Sequence, residues 1–580
     1  MGTLIKRSKR YVLVAILLFL LFCSWGCSSS GSSDSSISVS STTNTVWVST
    51  ITHTARILRD EWLDSGPGVH LFAAKNEWES FQILVRSNET IHRLTVEPED
   101  LIGPEGFTLE AADANLFRQH LMEITVGTYR NKAFRPGWYP DALIPFRHPL
   151  SGEKLRGGNL QAVPFTLPPD ETHGFWVDIF VPPDAPPGEY HGCYTVRFPG
   201  GRCRIPVTLN VWDFGLPDTP SLKTAFGSLP DTLRRYYKQR AEQGKEPEPT
   251  DWDRVDEQCA ELLRRNRINM SPVNPIYPEE QENGTYSLSR EKLDALRVFI
   301  DRFTINAVQI ISPAWFIKNP IDQYEDLCEW LHAWDEALLY LNRPEVSFYI
   351  YLKDEPNNFE SYEFVRIWGG AVKACNTSVK VLVTEQTWPQ NEEWGTLEGT
   401  VDIWVPLFPL FRPEKAVERQ QGGEEIWIYT ALTQLDPTPW WHTDFPLTHY
   451  RVPAWTAWKY DVRGLLYWGG MAFWDQVEDP WLDPATLTHS NGNVYNGEGS
   501  LLYPARAVGY DGVVPSMRLK ALRDAIEDYE YMTLLAQMGL REEAVSIVDS
   551  LTTSMFEWNP DPLSYEEARK ALAGLIIENT

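Results

Sequence analysis

From residue 215 onward the sequence alternates short apolar runs with amphipathic runs, and this alternation constrains the fold more than any other feature. The short runs are of strand type, and the amphipathic runs repeat apolar residues at helical spacing. Eight strands alternating with helices over roughly 300 residues are typical of a (β/α)8 TIM-type barrel. An open doubly wound sheet is the alternative, and the lack of a glycine-rich phosphate loop after the first strand weakens it.

The periodicities assign the individual elements of this region. The predicted strands are Thr224–Phe226, Ile268–Val273, Ala307–Ile311, Val346–Leu352, Val379–Val383, Val401–Val405, Ile426–Tyr429 and Leu465–Trp468. The predicted helices are Trp252–Arg265, Glu291–Phe303, Tyr324–Leu341, Tyr362–Ala374, Tyr450–Tyr460 and Ser516–Met538. Two further amphipathic stretches, Arg541–Leu551 and Tyr565–Ile577, are expected to be surface helices that close the barrel.

Residues 45–214 form a separate region of short strand-like runs bounded by proline and glycine. Runs such as Phe81–Val85 and Arg204–Val211 alternate apolar and polar residues with period two, which suits a half-buried antiparallel sheet. We therefore predict an N-terminal antiparallel β-sandwich. Carbohydrate binding and a spacer role are both open for it, and the lack of a clear site favours the spacer.

The first 44 residues resemble an export signal followed by a linker. A basic start precedes an apolar run from Tyr11 to Phe22, which is too short for a membrane span but suits a signal peptide. Gly26-Cys27 resembles a bacterial lipoprotein signal, so Cys27 is the candidate lipidation site and gives a possible lipid anchor to a membrane. We expect export, either as a cell-envelope lipoprotein or in secreted form. The predicted domains are residues 1–27 (signal), 28–44 (Ser/Thr-rich linker), 45–214, 215–540 and 541–580 (C-terminal helices).

Charge and composition exclude some classes of partner. The formal net charge is −27, whereas binding to nucleic acid requires a basic face. The sequence holds 24 tryptophans, and sugar-binding clefts use tryptophan to stack on ring faces. No cluster of Cys and His has the spacing of a metal site, so we expect no metal and no cofactor. The sequence gives no prediction of oligomeric state.

Five cysteines follow the signal region. Cys193 and Cys203 flank a predicted turn, where a cross-strand disulfide and two free buried thiols are both open. Cys259, Cys328 and Cys375 lie singly in helix-like segments and are expected in the core.

Acidic and aromatic residues follow the predicted barrel strands, at the ends where barrel enzymes place their chemistry. The residues at these ends are Asn274, Asp354, Glu355, Thr384, Glu385, Tyr429, Thr430 and Trp468. Acids with aromatics at a barrel mouth indicate glycoside chemistry, in which a carboxylic acid protonates the leaving oxygen. The fourth strand supplies the adjacent pair Asp354-Glu355, immediately before Pro356. A helix N-cap is the alternative role for this pair.

The seventh predicted strand ends without a second acid before Asp436. This favours substrate-assisted hydrolysis, in which a 2-acetamido group of the sugar is the nucleophile. Glu355 is then the acid/base, and Asp354 orients the amide N–H. A turn before Pro356 can bring both side chains to one site. A two-carboxylate mechanism using Glu355 with Glu385 is a less favoured alternative.

Other residues are candidates for substrate binding. Trp468 and Trp474 could form the floor and wall for sugar stacking, or belong to a tryptophan-rich core. Glu385 could bind sugar hydroxyls, and Tyr429 could support the acetamido group. Trp440 and Trp441 lie in a proline-rich loop and are expected to be exposed. Arg518, Arg523, Glu527 and Asp528 have helical spacing and are expected to form a structural ion-pair lattice.

The segment Tyr351-Leu352-Lys353-Asp354-Glu355-Pro356 is similar to the catalytic motif of glycoside hydrolase family 123, the β-N-acetylgalactosaminidases. Segments 76–82, 464–468, 496–504 and 514–531 also resemble that family and its uncharacterised relatives. The resemblance covers nearly all of residues 45–540. It implies a β-sandwich, a (β/α)8 barrel, and Asp354 and Glu355 in the roles above. Tyr351 is a further candidate for substrate binding.

Two classes of function remain open at this point. The favoured one is an exported glycosidase that removes a terminal N-acetylhexosamine, with N-acetylgalactosamine preferred, by a retaining substrate-assisted mechanism. The other is a non-catalytic carbohydrate-binding surface lipoprotein on the same scaffold. Retention of both adjacent acids favours the enzyme.

Overall fold

The computed structural model describes residues 46–432 and 437–580. The predicted signal peptide, Cys27 and the linker at 28–44 lie outside these residues, so they stay predictions. Among the described residues, no helix has the length and apolar character needed to cross a membrane.

The front region is rich in β-strands, as predicted, and these form two sheets around one core, the sandwich. Its strands are β1 (Val46–Thr52), β2 (Val69–Lys75), β3 (Glu77–Ser87), β4 (Ile91–Pro98), β5 (Leu101–Ile102), β6 (Thr108–Leu109), β7 (Asn115–Ile124), β8 (Gly137–Pro145), β9 (Phe165–Leu167), β10 (His173–Val181), β11 (Gly188–Phe198) and β12 (Gly201–Gly215). One sheet has the order β1-β3-β10-β7-β8, and the other runs β2-β12-β11-β4-β9 with β5 and β6 beside it. The pairing is antiparallel except between β2 and β12, which run parallel.

Alternating residues of neighbouring strands fill the core of the sandwich. Phe81, Ile83 and Val85 of β3 lie in the same buried cluster as Phe175 and Val177 of β10. Successive side chains of a strand point to opposite faces, so this spacing of two buries one face of the sheet.

The second region contains a parallel sheet surrounded by helices. Its strands are β13 (Lys223–Ala225), β16 (Ala307–Ile310), β17 (Ser347–Lys353), β18 (Lys380–Val383), β19 (Ile403–Trp404), β20 (Glu425–Tyr429) and β21 (Gly464–Leu466). They pair in parallel in the order β13-β21-β20-β19-β18-β17-β16. Two-stranded hairpins accompany them: β14–β15 (Glu279–Glu280, Tyr286–Ser287), β22–β23 (Leu487–Thr488, Val494–Tyr495), β24–β25 (Leu502–Pro504, Val513–Pro515) and β26–β27 (Thr552–Ser554, Glu557–Trp558).

The barrel is not fully closed. The predicted second strand at Ile268–Val273 does not form, and this leaves a gap between β13 and β16. Ile268 and Met270 are buried in this gap, each 2% exposed. The side chain of Asn269 bridges the gap, since its Nδ2 donates to Thr224 O (2.9 Å) and to Asn306 Oδ1 (2.7 Å). Side-chain hydrogen bonds thus replace the missing strand ladder, and the prediction of eight strands was wrong by one.

Helices make up much of the rest of this region. They are α1 (Leu229–Glu242), α2 (Trp252–Arg265), α3 (Arg290–Phe303), α4 (Tyr324–Leu341), α5 (Phe359–Ala374), α6 (Pro413–Gln421), α7 (Thr448–Lys459), α8 (Met517–Gln537), α9 (Arg541–Leu551) and α10 (Pro562–Asn579). The last of them, α10, packs against α8, α9 and strand β12 of the sandwich. Short 3₁₀ turns occur at Pro104–Gly106, Pro313–Trp315, Glu392–Trp394, Phe408–Leu410, Gly469–Met471 and Ala505–Val508. The sequence did not predict α1 and α6, in which polar and charged residues predominate.

Helix α8 joins the sandwich to the barrel through buried ion pairs. Arg518 pairs with Asp141 of β8 (2.9 Å), and Arg523 pairs with Asp178 of β10 (3.3 Å). Asp528, also on α8, pairs with Arg451 of α7 (2.7 Å). The predicted structural lattice on this helix is confirmed, and it spans both regions.

The cysteine predictions require two corrections. Cys328 of α4 and Cys375 at the end of α5 form a disulfide, although each was expected to be a lone core residue. Cys193 and Cys203 are free, because in the β11–β12 ladder Cys193 faces Pro206 and Cys203 faces Val196. The free-thiol alternative is therefore the correct one, although Cys203 is only half-buried.

Removing the disulfide is expected to destabilise the fold. Changing Cys328 and Cys375 together to serine should lower the free energy of unfolding by about 2–4 kcal/mol, because the cross-link restricts the unfolded chain. Denaturant titration of wild type and double variant measures the difference. The matched control is Cys259→Ser, a buried free thiol, with and without reductant. Reductant should destabilise this control and the wild type, but leave the double variant unchanged.

Candidate active site

A β-bulge in β17 places Asp354 on the inner face of the barrel. Tyr351 pairs with Leu382 of β18, but the next pair joins Lys353 to Val383, so β17 carries one extra residue. Tyr351 and Leu382 belong to the cluster inside the barrel, whereas Val383 packs outside against the helices. Lys353 therefore faces the outside of the barrel and Asp354 faces the inside. Bulges beside active sites commonly redirect a side chain in this way.

The backbone then turns sharply at Glu355. Its φ angle is 37°, in the left-handed region that a glutamate seldom adopts. The N–H of Glu355 donates to Thr384 Oγ1 (2.9 Å), and the same hydroxyl donates to Asp354 Oδ1 (3.0 Å). Thr384 therefore holds both adjacent acids at one point of the barrel mouth, where both side chains are exposed.

The helix-cap alternative for the acid pair is wrong. Helix α5 begins only at Phe359, and its N-cap is Asn358, whose side chain accepts from Ser361 N (2.8 Å). Asp354 and Glu355 are thus free of any capping role.

Two tyrosines hold the two carboxylates separately. Tyr351 OH donates to Asp354 Oδ1 (2.6 Å), and Tyr429 OH donates to Glu355 Oε1 (2.5 Å). Burial and the neighbouring Asp354 raise the pKa of Tyr351 well above its ordinary value. Burial and Glu355 likewise raise the pKa of Tyr429. Both hydroxyls therefore stay protonated and act as hydrogen-bond donors at any ordinary pH.

The two acids differ in their surroundings and can divide the chemistry. Asp354 Oδ1 accepts two hydroxyl hydrogen bonds, from Tyr351 and Thr384. Glu355 Oε1 accepts one, from Tyr429. Within the part of the chain that the structure describes, the second oxygen of each carboxylate has no protein partner. The pair thus offers two carboxyl groups that are held by different partners, and each keeps one oxygen for a substrate.

Glu385 is buried behind this pair. It is 4% exposed, and its Oε1 has no hydrogen-bond partner among the described residues. Burial raises the pKa of Glu385 to about 8, and the charge of Glu355 adds to this, whereas hydrogen bonds from Gln386 and Tyr362 oppose it. Glu385 is therefore mainly protonated at neutral pH. A direct contact between Glu385 and a sugar stays a prediction.

Trp468 lies beyond the end of β21, two residues after the inward-facing Leu466, and is half-buried. Its indole N–H donates to the buried carboxylate of Glu498. Glu498 also lies 2.6 Å from the buried ring of His442. These contacts fix the indole plane of Trp468, and its use as a stacking surface for the sugar stays a prediction.

Three other tryptophans lie in the interior. Trp474, a candidate wall for sugar stacking, is 1% exposed, and its Nε1 donates to Ser500 Oγ (2.9 Å). It packs edge-on against Tyr236, so it offers no open face and we leave it out of the proposed site. Trp440 and Trp441 are also buried, and the expectation that they are exposed was wrong.

Sequence reasoning assigned no role to Thr384, Glu498 or His442. Thr384 was already among the predicted strand-end residues, and it directly follows β18, beside the strand that carries the acids. Glu498 and His442 lie on long loops, and no periodic pattern connects such positions with a strand end.

One group of side chains could in principle hold a metal ion. Ligand atoms of His53, Glu79 and Glu566 lie within 4.8 Å of one another. However, Arg569 Nη1 lies 3.2 Å from Glu79, and Arg451 Nη1 lies 3.3 Å from Glu566. Guanidinium groups thus already neutralise these carboxylates, and we assign no metal to them.

Comparisons with known proteins agree on one family. The model of the glycoside hydrolase 123 catalytic domain matches residues 325–535, and the model of the glycoside hydrolase 123 N-terminal domain matches residues 61–198. No curated protein matches the chain.

Among solved structures, a family 123 glycoside hydrolase from Clostridium perfringens, described for glycolipid glycan hydrolysis, aligns with a TM-score of 0.62 and 14% identity. The alignment covers 92% of this chain and 98% of that one. An endo-β1,6-glucanase aligns with a TM-score of 0.32 and 12% identity, over 54% of this chain and 76% of its own. The last TM-score is too low to support a shared fold.

Proposed function

The chain belongs to glycoside hydrolase family 123 and is a glycosidase, and we propose that it removes a terminal N-acetylhexosamine, with N-acetylgalactosamine favoured, by retaining substrate-assisted hydrolysis. The observation that carries this proposal is the adjacent pair Asp354 and Glu355, whose carboxylates are held at one point of the barrel mouth by different partners.

The first step would proceed by attack of the substrate's own acetamido oxygen on C1 of the sugar. The bond from C1 to the leaving oxygen breaks, and Glu355 gives its proton to that oxygen. Asp354 accepts the acetamido N–H through its unpartnered oxygen and stabilises the positive oxazolinium. In the second step Glu355 takes a proton from water, which attacks C1 and restores the acetamido group with overall retention.

The surroundings of the pair favour this mechanism over a two-carboxylate one. The three residues after Tyr429, at the end of β20, carry no acid. Glu385, the alternative nucleophile, is buried and has a pKa of about 8, so most of it is neutral at neutral pH. A protonated carboxyl is a poor nucleophile. Trp468, Tyr351 and Tyr429 then complete the proposed substrate contacts.

Matched aryl glycosides test the proposed reaction. The purified protein should hydrolyse aryl β-N-acetylgalactosaminides, and β-N-acetylglucosaminides more slowly, while the corresponding galactosides and glucosides react far more slowly. Equal rates on glycosides that lack the acetamido group would exclude substrate assistance. Sugar binding without hydrolysis of any glycoside would instead indicate a binding protein.

Thr384→Val tests whether the shared hydroxyl positions the pair. The change keeps the shape but removes the hydrogen bonds to Asp354 Oδ1 and from Glu355 N–H. A hydrogen bond to a charged group is worth about 1.5–3 kcal/mol, so kcat should fall roughly 10–100-fold. The matched control is Thr377→Val, whose hydroxyl contacts Asp335 away from the mouth. An unchanged kcat in Thr384→Val would remove Thr384 from the site.

We also propose that the protein is exported, as a cell-envelope lipoprotein or in secreted form. The Cys328–Cys375 disulfide supports this, because disulfides persist mainly in oxidising compartments. Fractionation of cells that express the full chain should recover it outside the cytoplasm. Cys27→Ala should then release it from membranes only if Cys27 carries a lipid.

A further inference from the structure

A second cavity, separate from the acid pair, lies where the sandwich, the barrel and the C-terminal region meet. This junction cavity has a volume of about 550 Å³ and is lined by residues from 54–58, 130–139, 437–449 and 558–562. Neither acid and neither of the tyrosines that hold them lines it. Its volume falls in the range of about 300–1,000 Å³ that is usual for small-molecule sites.

Aromatic rings form much of its wall. Trp440 and Phe445 stack in parallel planes, with ring centroids 5.4 Å apart. Trp558 stands edge-on to His449, with centroids 5.3 Å apart. Phe445, His449 and Trp558 are half-buried, whereas Trp440 is buried behind Phe445 and supports it. Rigid, half-buried rings are suited to packing against the flat apolar face of a pyranose.

Three polar groups in the same wall lack partners. The Nε of Arg56 and the Oγ1 of Thr448 are buried without a hydrogen bond. The Nδ1 of His449 accepts from Trp440 N (3.0 Å), so the neutral ring carries its proton on Nε2. Burial lowers the pKa of His449 to about 3, which keeps the ring neutral. No partner for this Nε2 occurs among residues 46–432 and 437–580.

These groups favour a neutral, oxygen-rich ligand. Arg56 already pairs with Asp141 (3.3 Å), so its charge is balanced and does not call for an anion. Buried polar groups are normally hydrogen-bonded, and an acyl chain in the cavity would leave all three unsatisfied. A sugar offers both hydroxyl oxygens and an apolar ring face.

We propose that the junction cavity binds one pyranose residue of a glycan, as a second carbohydrate site independent of catalysis. The sugar face packs on the aromatic wall, and Arg56, Thr448 and His449 hydrogen-bond to its oxygens. The site would retain the enzyme on a glycan chain while the barrel mouth acts on a terminal residue elsewhere.

The test uses free sugars that lack the acetamido group, so that the proposed catalytic site does not dominate the signal. Galactose, glucose, mannose and fucose are titrated into the purified protein by calorimetry and ligand-observed NMR. At least one should bind. Trp558→Ala and the isosteric Thr448→Val should each weaken its association about tenfold. Trp47→Ala, an exposed tryptophan of β1 outside the cavity, should not change it.

Activity and stability provide the remaining controls. All three variants should keep the wild-type kcat/KM on aryl N-acetylhexosaminides and the wild-type melting temperature. Failure of every sugar to bind, or unchanged binding in both Trp558→Ala and Thr448→Val, would overturn the proposal. Displacement of the sugar by decanoate with higher affinity would identify a lipid-chain pocket instead. Absence of hydrolysis by the wild type would contradict the catalytic proposal alone, because the binding readout does not depend on turnover.

Discussion

Glu355→Gln is expected to lower kcat about 10²–10⁴-fold on N-acetylhexosaminides with poor leaving groups. The glutamine amide can still accept the Tyr429 hydroxyl, so the geometry is retained while the transferable proton is lost. The loss should be smaller for an activated leaving group such as nitrophenolate, which departs with little protonation. Steady-state kinetics over a series of aryl leaving groups measures this dependence.

Asp354→Asn should give a different kinetic pattern. It removes the carboxylate that we propose accepts the acetamido N–H, so the loss should be large for every leaving group. Glu360→Gln is the matched control, because Glu360 is an exposed glutamate in the first turn of α5. Wild-type rates in Glu355→Gln, with the control unaffected, would remove Glu355 from the mechanism. If the loss in Glu355→Gln were the same for every leaving group, Glu355 would not be the general acid, although it could still be the general base.

Much of the architecture could be predicted because burial imposes simple periods on the sequence. Helices α2, α4 and α9 have the bounds that their apolar spacing predicts. The predicted second barrel strand failed for a local reason, since the side chain of Asn269 makes the bridging contacts that a strand backbone would make. The replacement of a strand ladder by side-chain hydrogen bonds leaves the apolar pattern of the sequence unchanged, so the pattern cannot reveal it.

The arrangement of the candidate site could be predicted only in part. The sequence located Asp354 and Glu355 at a strand end, but alternation would have pointed them to opposite faces. The bulge after Tyr351 and the positive φ of Glu355 resolve this, and both depend on the neighbouring strand rather than on local composition. The pairing of Cys328 with Cys375 likewise depends on how α4 packs beside α5.

Arg569→Met is expected to be strongly destabilising, by about 3–5 kcal/mol in the free energy of unfolding. Arg569 of α10 is 3% exposed and lies between three acids: Glu77 (3.0 Å), Glu79 (3.2 Å) and Asp528 (2.7 Å). Methionine keeps much of the volume but leaves these buried carboxylates without their shared cation. Urea titration at several pH values measures the loss.

The destabilisation should depend on pH in a defined direction. Burial raises the pKa of Glu77 to about 7 from its ordinary value of 4.5, although Arg569 lowers it. Between pH 4.5 and about pH 7 the folded state therefore holds more protons than the unfolded chain. The free energy of unfolding falls as the pH rises through this range. Without Arg569 the pKa of Glu77 rises further, so the pH range over which stability falls extends above pH 7. The deficit of Arg569→Met should thus be smaller at pH 5 than at pH 8.

An exposed arginine provides the control for this experiment. Arg302 is 58% exposed and pairs with Glu257 on the surface, so Arg302→Met should change stability little at either pH. A comparable loss of unfolding free energy in Arg302→Met and Arg569→Met would show that the destabilisation is not specific to the buried site of Arg569. An Arg569→Met deficit that grows at pH 5 would contradict the lattice argument, because protonation should relieve the repulsion among the three carboxylates. A deficit that is larger at pH 8 than at pH 5 would support the role that these ion pairs indicate. Arg569 joins α10 to the sandwich through Glu77 and Glu79, and to α8 through Asp528.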